Sequence, residues 1–196
     1  IMKLGTICVQ GAYRPKNGEP RVLPIVQSTT YKYDSSVEMG NLFDLKASGY
    51  FYSRLQNPTN DTVAGKITML EGGVAGMLTS SGQAANFYAV FNIAQAGDHI
   101  VSSSAIYGGT YNLFNVTMRK LGIDFTFVSP DADEEEIQAA FKPNTKAVFG
   151  ETLANPALSV LDIEKFAKLA HKNNVPLIID NTFPTPILCR PIEHGA

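Results

Sequence analysis

Tryptophan is absent from this 196-residue chain, and cysteine is nearly so, at two residues. Cys8 and Cys189 are too few and too far apart for a disulfide framework, which points to thiols of a cytoplasmic protein. The three histidines, His99, His171 and His194, are scattered. No Cys/His cluster has metal-ligand spacing, so no metal centre is expected. Charge is sparse as well: 17% of residues are charged, the net charge is -2, and no run of Lys or Arg occurs. That removes the electrostatic footprint of a nucleic-acid partner. No stretch stays apolar long enough to span a bilayer, so no membrane partner is expected either. The opening Ile1-Met2-Lys3-Leu4-Gly5 lacks the basic-then-apolar layout of a secretory signal. Neither a Walker motif nor G-x-G-x-x-G is present, which sets aside those two nucleotide-binding readings.

What is present is a globular composition, 44% hydrophobic, sufficient for one good-sized core. The first fifty residues differ from the rest. Arg14-Pro15-Lys16-Asn17-Gly18-Glu19-Pro20 is turn-rich, and little periodicity appears before Phe43. Residues 1–50 therefore read as an irregular arm that packs against another subunit. Residues 62–71 read as a helix, with Val63, Ile67 and Leu70 on one face and Gly72-Gly73 ending it. Residues 74–79 are expected as a short strand and 83–94 as an almost wholly apolar helix that should be buried. Further strands are expected at 100–103, 124–128, 145–150 and 177–179. A helix is expected over 111–121, another after the Asp133 cap with Glu134, Glu135 and Glu136 in its first turn, and a third on the stripe Ile163, Phe166, Ala167 and Ala170. Strands alternating with helices predict an α/β fold, a mostly parallel sheet with flanking helices.

In such sheets ligands sit outside the carboxyl ends of the strands. Asp180 stands there, after Ile178-Ile179. A carboxylate in that place is costly to bury unless a cationic atom meets it, although an ordinary turn acid fits the same position. Ser81-Gly82-Gln83 opens a helix, where free N–H groups and the dipole favour an anion; a plain Ser cap is the alternative. Tyr107, set before Gly108-Gly109, can lay its ring on a planar ligand or simply pack beside a turn. Arg54, with Tyr52 two residues away, can clamp a phosphate or stand solvated on a loop. Asn155, in the run Glu151-Thr152-Leu153-Ala154-Asn155-Pro156, can bond a ligand oxygen or serve the turn alone.

As a set, Tyr52-Ser53-Arg54 with Asn57-Pro58-Thr59, Ser81-Gly82-Gln83, Tyr107-Gly108-Gly109-Thr110, Glu151 to Pro156 and Asp180-Asn181-Thr182-Phe183 resembles the Cys/Met-metabolism family of pyridoxal-phosphate enzymes. The resemblance covers nearly the whole chain. It implies pyridoxal 5'-phosphate as cofactor and the large domain of fold-type I enzymes as the fold. It implies that Ser81, Gly82 and Gln83 hold the phosphate and that Tyr107 stacks on the ring and takes part in catalysis. Asp180 would pair with the ring nitrogen as the second catalytic residue, Asn155 would contact the ring hydroxyl, and Thr182 would support from nearby. Tyr52 and Arg54 would reach the phosphate of a neighbouring subunit, which implies a homotetramer of dimers with shared sites.

Residues 107–114 and 188–195 are similar to the O-acetylhomoserine sulfhydrylase branch, which implies γ-replacement on a small amino-acid substrate. Methionine γ-lyase and cystathionine γ-synthase or lyase activity stay open, as does a non-catalytic phosphate-binding α/β domain. Methionine γ-lyases usually carry Cys where this chain has Gly109. The family's Schiff-base lysine follows the Glu193-His194-Gly195 motif, and none of Lys146, Lys165, Lys168 or Lys172 has that setting. Residues 51–196 are therefore expected to be an incomplete cofactor-binding large domain, with the C-terminal domain outside the sequence and the fragment alone inactive.

Overall fold

In the computed structural model, which describes residues 2–196, the chain divides into two compact units, Ile1–Leu78 and Thr79–Ala196. The first unit contains helices α1 (Leu4–Gln10), α2 (Ser36–Phe43) and α3 (Pro58–Glu71). The expectation of little regular structure before Phe43 is thus corrected at two places. The physical cause at α2 is a capping box: Ser35 Oγ accepts the Glu38 N–H while the Glu38 carboxylate accepts the Ser35 N–H, both at 3.2 Å. α3 starts earlier than its apolar spacing suggests. Asn57 Oδ1 accepts from the N–H groups of Thr59 and Asn60, and Pro58 fits the first helical position, where its missing N–H costs nothing. Gly72, at φ 74°, ends the helix.

The strand expected over 74–79 does not form. An apolar run becomes a strand only beside a neighbour that completes its N–H···O ladder. No described strand pairs with these residues, and Val74 and Met77 lie exposed.

The second unit runs α4 (Gly82–Phe91), β1 (His99–Ser103), α5 (Gly108–Asn112), a π-helical stretch Leu113–Met118, β2 (Asp124–Val128), α6 (Glu134–Ala139), β3 (Thr145–Glu151), α7 (Ile163–Lys172), β4 (Leu177–Asp180), α8 (Thr185–Leu188) and a 3-10 turn Pro191–His194. The four strands form one parallel sheet in the order β2-β1-β3-β4, and the α/β expectation holds. Helices cover both of its faces, as a parallel sheet requires. Strand alternation sends Ile100, Ala147 and Phe149 to one face, where they pack with Val90, Phe114 and Met118. It sends Val101 and Val148 to the other, against Ile137 and the predicted α7 stripe of Ile163, Phe166, Ala167 and Ala170. Phe114 anchors the first face, stacked on Phe125 at 4.8 Å and edge-on to Phe149 at 4.8 Å. Such pairs contribute roughly 0.5–1.5 kcal/mol each beyond burial.

Two helical expectations need correction. α4 is not wholly buried: only Asn86 and Val90 are, one turn apart, because the sheet covers a single stripe and leaves Tyr88 and Phe91 half exposed. The helix expected over 111–121 begins at Gly108 and changes to π pitch at Leu113. β1 has β2 on one side and β3 on the other, so the chain reverses direction across the sheet between β1 and β3. Open α/β sheets hold their ligands outside the carboxyl ends at such a point.

Candidate active site

The carboxyl ends of β1, β3 and β4 and the start of α4 carry the predicted residues of the second unit. Asp180 closes β4, and its side chain shares the sheet face of Ile178, the face that α4 covers. Its Oδ2 accepts a hydrogen bond from Asn86 Nδ2 at 3.1 Å. Its Oδ1 accepts from the Thr182 backbone N–H at 3.1 Å and from the Thr182 hydroxyl at 2.5 Å. Asn86 also donates to Thr110 Oγ1 at 3.1 Å, which links the acid to α5.

Ser81 caps α4 by accepting the Ala84 N–H at 3.1 Å. Helix geometry leaves the N–H groups of Gly82 and Gln83 without intrahelical partners. A Cβ at Gly82 would meet nothing within 4 Å, so the approach to these amides is open. Gln83 Oε1 is buried and has no hydrogen-bond partner. Tyr107 stands at the N-cap of α5 with its ring half exposed. A Cβ added to Gly109 would lie 2.4 Å from Gln83 Nε2 and 2.5 Å from Tyr107 Cε1. Glycine at 109 is thus what lets the Gln83 amide and the Tyr107 ring approach one another.

Glu151 closes β3, directly across from Asp180 in the ladder, and is buried. Its Oε2 accepts the Tyr107 N–H at 2.6 Å. Burial pushes its carboxyl above the ordinary value and the Asp180 charge adds to this, while N–H groups of Tyr107 and Asn155 pull it down. Asn155 is half-buried in the loop after β3. Thr182 lies exposed beside Asp180. Tyr52 and Arg54 belong to the first unit. Tyr52 bridges Thr30 in antiparallel fashion, and the Arg54 guanidinium lies over the Tyr52 ring at 5.0 Å. Three of the lysines named above are engaged elsewhere: Lys165 donates to the carbonyls of Pro130 and Ala132, Lys168 pairs with Glu134, and Lys146 with Asp98. Among the described residues, no group of three His, Cys, Asp or Glu side chains gathers as a metal site.

Sequence reasoning did not single out Asn86, Thr110 or Glu151. Asn86 had a signal, since a polar amide inside the apolar run of α4 must find buried partners. Glu151 ends its strand as Asp180 does and had the same signal.

The sequence profile of the family described as "Cys/Met metabolism PLP-dependent enzyme" matches residues 5–196. The chain belongs to that family. Among Cys/Met-metabolism relatives, O-acetyl-L-homoserine sulfhydrylase of Corynebacterium glutamicum is 53% identical over 176 residues, covering 90% of this chain and 40% of the relative. O-acetyl-L-homoserine sulfhydrylase 1 of Thermus thermophilus is 42% identical, covering 100% of this chain and 47% of the relative. A Campylobacter jejuni crystal structure containing N'-pyridoxyl-lysine-5'-monophosphate superposes with TM-score 0.95 at 37% identity, over 100% of this chain and 48% of that one. The chain thus spans between two fifths and half of the length of these relatives.

Pyridoxal phosphate is the cofactor of the Cys/Met-metabolism family, and the donor set here suits it. The start of α4 offers open N–H groups that would take a phosphate, and the Asp180 carboxylate at the end of β4 would suit a protonated ring nitrogen.

Proposed function

We propose that this chain is the cofactor-binding part of an O-acetylhomoserine sulfhydrylase. The enzyme exchanges the acetate of O-acetylhomoserine for sulfide or a small thiol, giving homocysteine or methionine and releasing acetate. The observation that carries this reading is the 53% identity to the Corynebacterium sulfhydrylase, joined to the two strand-end acids on the α4 face. Bound pyridoxal phosphate supplies an electron sink for charge that develops on the amino acid. Ser81, Gly82 and Gln83 bind its phosphate. Asp180 keeps a proton on its ring nitrogen, helped by Asn86 and Thr182, which fix the carboxylate. Tyr107 would cover the ring and offer its Oη for proton transfer, and Asn155 would bond the ring hydroxyl.

Gly109 speaks for this branch over methionine γ-lyase. A Cys there would push into Gln83 Nε2 or the Tyr107 ring, which occupy the space of its Cβ. The proposal includes a cytoplasmic homotetramer of dimers. Residues 1–50 form the arm on a neighbouring subunit, and Tyr52 and Arg54 reach across to the neighbour's phosphate.

The test is sulfide-dependent turnover of O-acetylhomoserine by the cofactor-loaded full protein, of which this chain is a part, beside release of 2-oxobutyrate from methionine. Turnover of methionine alone refutes the branch. In the full protein, which carries the Schiff-base lysine, absence of a cofactor absorbance band that borohydride abolishes refutes the cofactor role and favours a plain phosphate-binding domain. For the shared site, Arg54→Ala mixed with Tyr107→Phe should recover activity in hybrid dimers; no recovery places Arg54 within its own subunit.

A further inference from the structure

Glu151 is a buried carboxyl that the roles above leave unused. It pairs with Asp180 across β3 and β4, so both side chains leave the sheet on the α4 face. Its Oε2 holds the Tyr107 N–H at 2.6 Å, and the Asn155 backbone N–H faces the same carboxyl and favours its charged form. Tyr107 and Asn155 sit on separate loops, one after β1 and one after β3, and their side chains are two of the three assigned to the cofactor ring, with Asp180 the third. The Tyr107 side chain takes no part in capping α5, so its ring position follows from where its backbone is held. A carboxyl buried beside a second carboxylate is costly unless donors meet it. Here the donors are the two loops.

We propose that Glu151 is a positioning residue that ties the loops after β1 and β3 to one carboxyl and thereby sets where Tyr107 and Asn155 meet the cofactor. This rests on the cofactor-binding reading above. Glu151 need not touch the cofactor; it acts through the two backbones.

The experiment measures the dissociation constant of pyridoxal phosphate, by titration into the apo form of the full protein, for Glu151→Gln and Glu151→Met, each alone and with Tyr107→Ala. Glu151→Met keeps the volume and removes both acceptors, and should weaken binding about tenfold. Glu151→Gln keeps an acceptor oxygen and should stay within about threefold. With Tyr107→Ala already present, the Glu151→Met factor should fall to about threefold or less, because part of what Glu151 positions is gone. A factor of the same size with and without Tyr107 overturns the proposal, since a packing role does not depend on that ring. Equal losses for Gln and Met overturn it as well. If Glu151→Met does not fold, Glu151→Ala gives the same comparison without added bulk. A wild-type protein that takes up no cofactor refutes the function reading and this inference with it. A wild type that binds normally with additive variants refutes this inference alone.

Discussion

His99 offers a prediction whose size follows from the structure. The residue opens β1 and is fully buried, with Nδ1 2.8 Å from the Thr145 hydroxyl on β3 and Nε2 2.8 Å from the Thr126 hydroxyl on β2. One imidazole thus bonds to both neighbouring strands. Burial lowers its pKa to about 4 from 6.5, nearby Lys142 and Arg119 push the same way, and Asp124 opposes them. The unfolded chain therefore takes up a proton that the folded one refuses throughout the window from pH 6.5 to 4. The folded state keeps its full advantage from this residue above pH 6.5 and loses it as the pH falls towards 4. At about 1.4 kcal/mol per pKa unit, the loss by pH 4 is on the order of 3 kcal/mol. Other groups titrate in the same range, so the assay compares wild type with His99→Gln by urea unfolding at pH 7 and pH 4. The stability of wild type relative to the variant should drop by about 3 kcal/mol between the two. A difference that stays constant with pH refutes the reasoning, because the imidazole would then not be held neutral.

Three more perturbations test the site and the core. In the full protein, Asp180→Asn removes the carboxylate at the end of β4 and should lower sulfide-dependent turnover about ten- to a hundredfold, read by homocysteine formation. Gly109→Ala places a methyl 2.4 Å from Gln83 Nε2 and 2.5 Å from Tyr107 Cε1. It should cost about 1–3 kcal/mol in denaturant unfolding and weaken cofactor retention. Phe166→Ala empties a fully buried position between α7 and the sheet, and should destabilise the fold by about 3–5 kcal/mol in urea.

The α/β order was legible because each strand and helix of the second unit carries its own period, and α7 shows this best. Its Ile163, Phe166, Ala167 and Ala170 repeat at helical spacing, and all four are buried. The misses came where partners far along the chain decide the outcome. Residues 74–79 have strand composition but, among the described residues, no strand to pair with, and composition does not reveal that. α4 reads as apolar all round, yet how much of it is covered depends on the width of the sheet beneath. α2 carries a capping box in Ser35 and Glu38, yet Leu42 is its one buried residue, so no apolar stripe marks it as a helix. At the site, the strand-end loci were readable as motifs, whereas Asn86 and Glu151 emerged only once the ladder paired residue 151 with residue 180.

The three hydrogen bonds that Asp180 receives have a consequence for ligand entry. Asn86 and Thr182 hold both carboxylate oxygens in place without any ligand. A cationic ring atom arriving at β4 therefore meets a preorganised anion whose rotamer freedom was surrendered during folding. The entropy of aiming the charge is charged to the stability of the sheet and not to the affinity of the complex. Loosening Asn86 should then cost binding even though Asn86 need never touch what is bound.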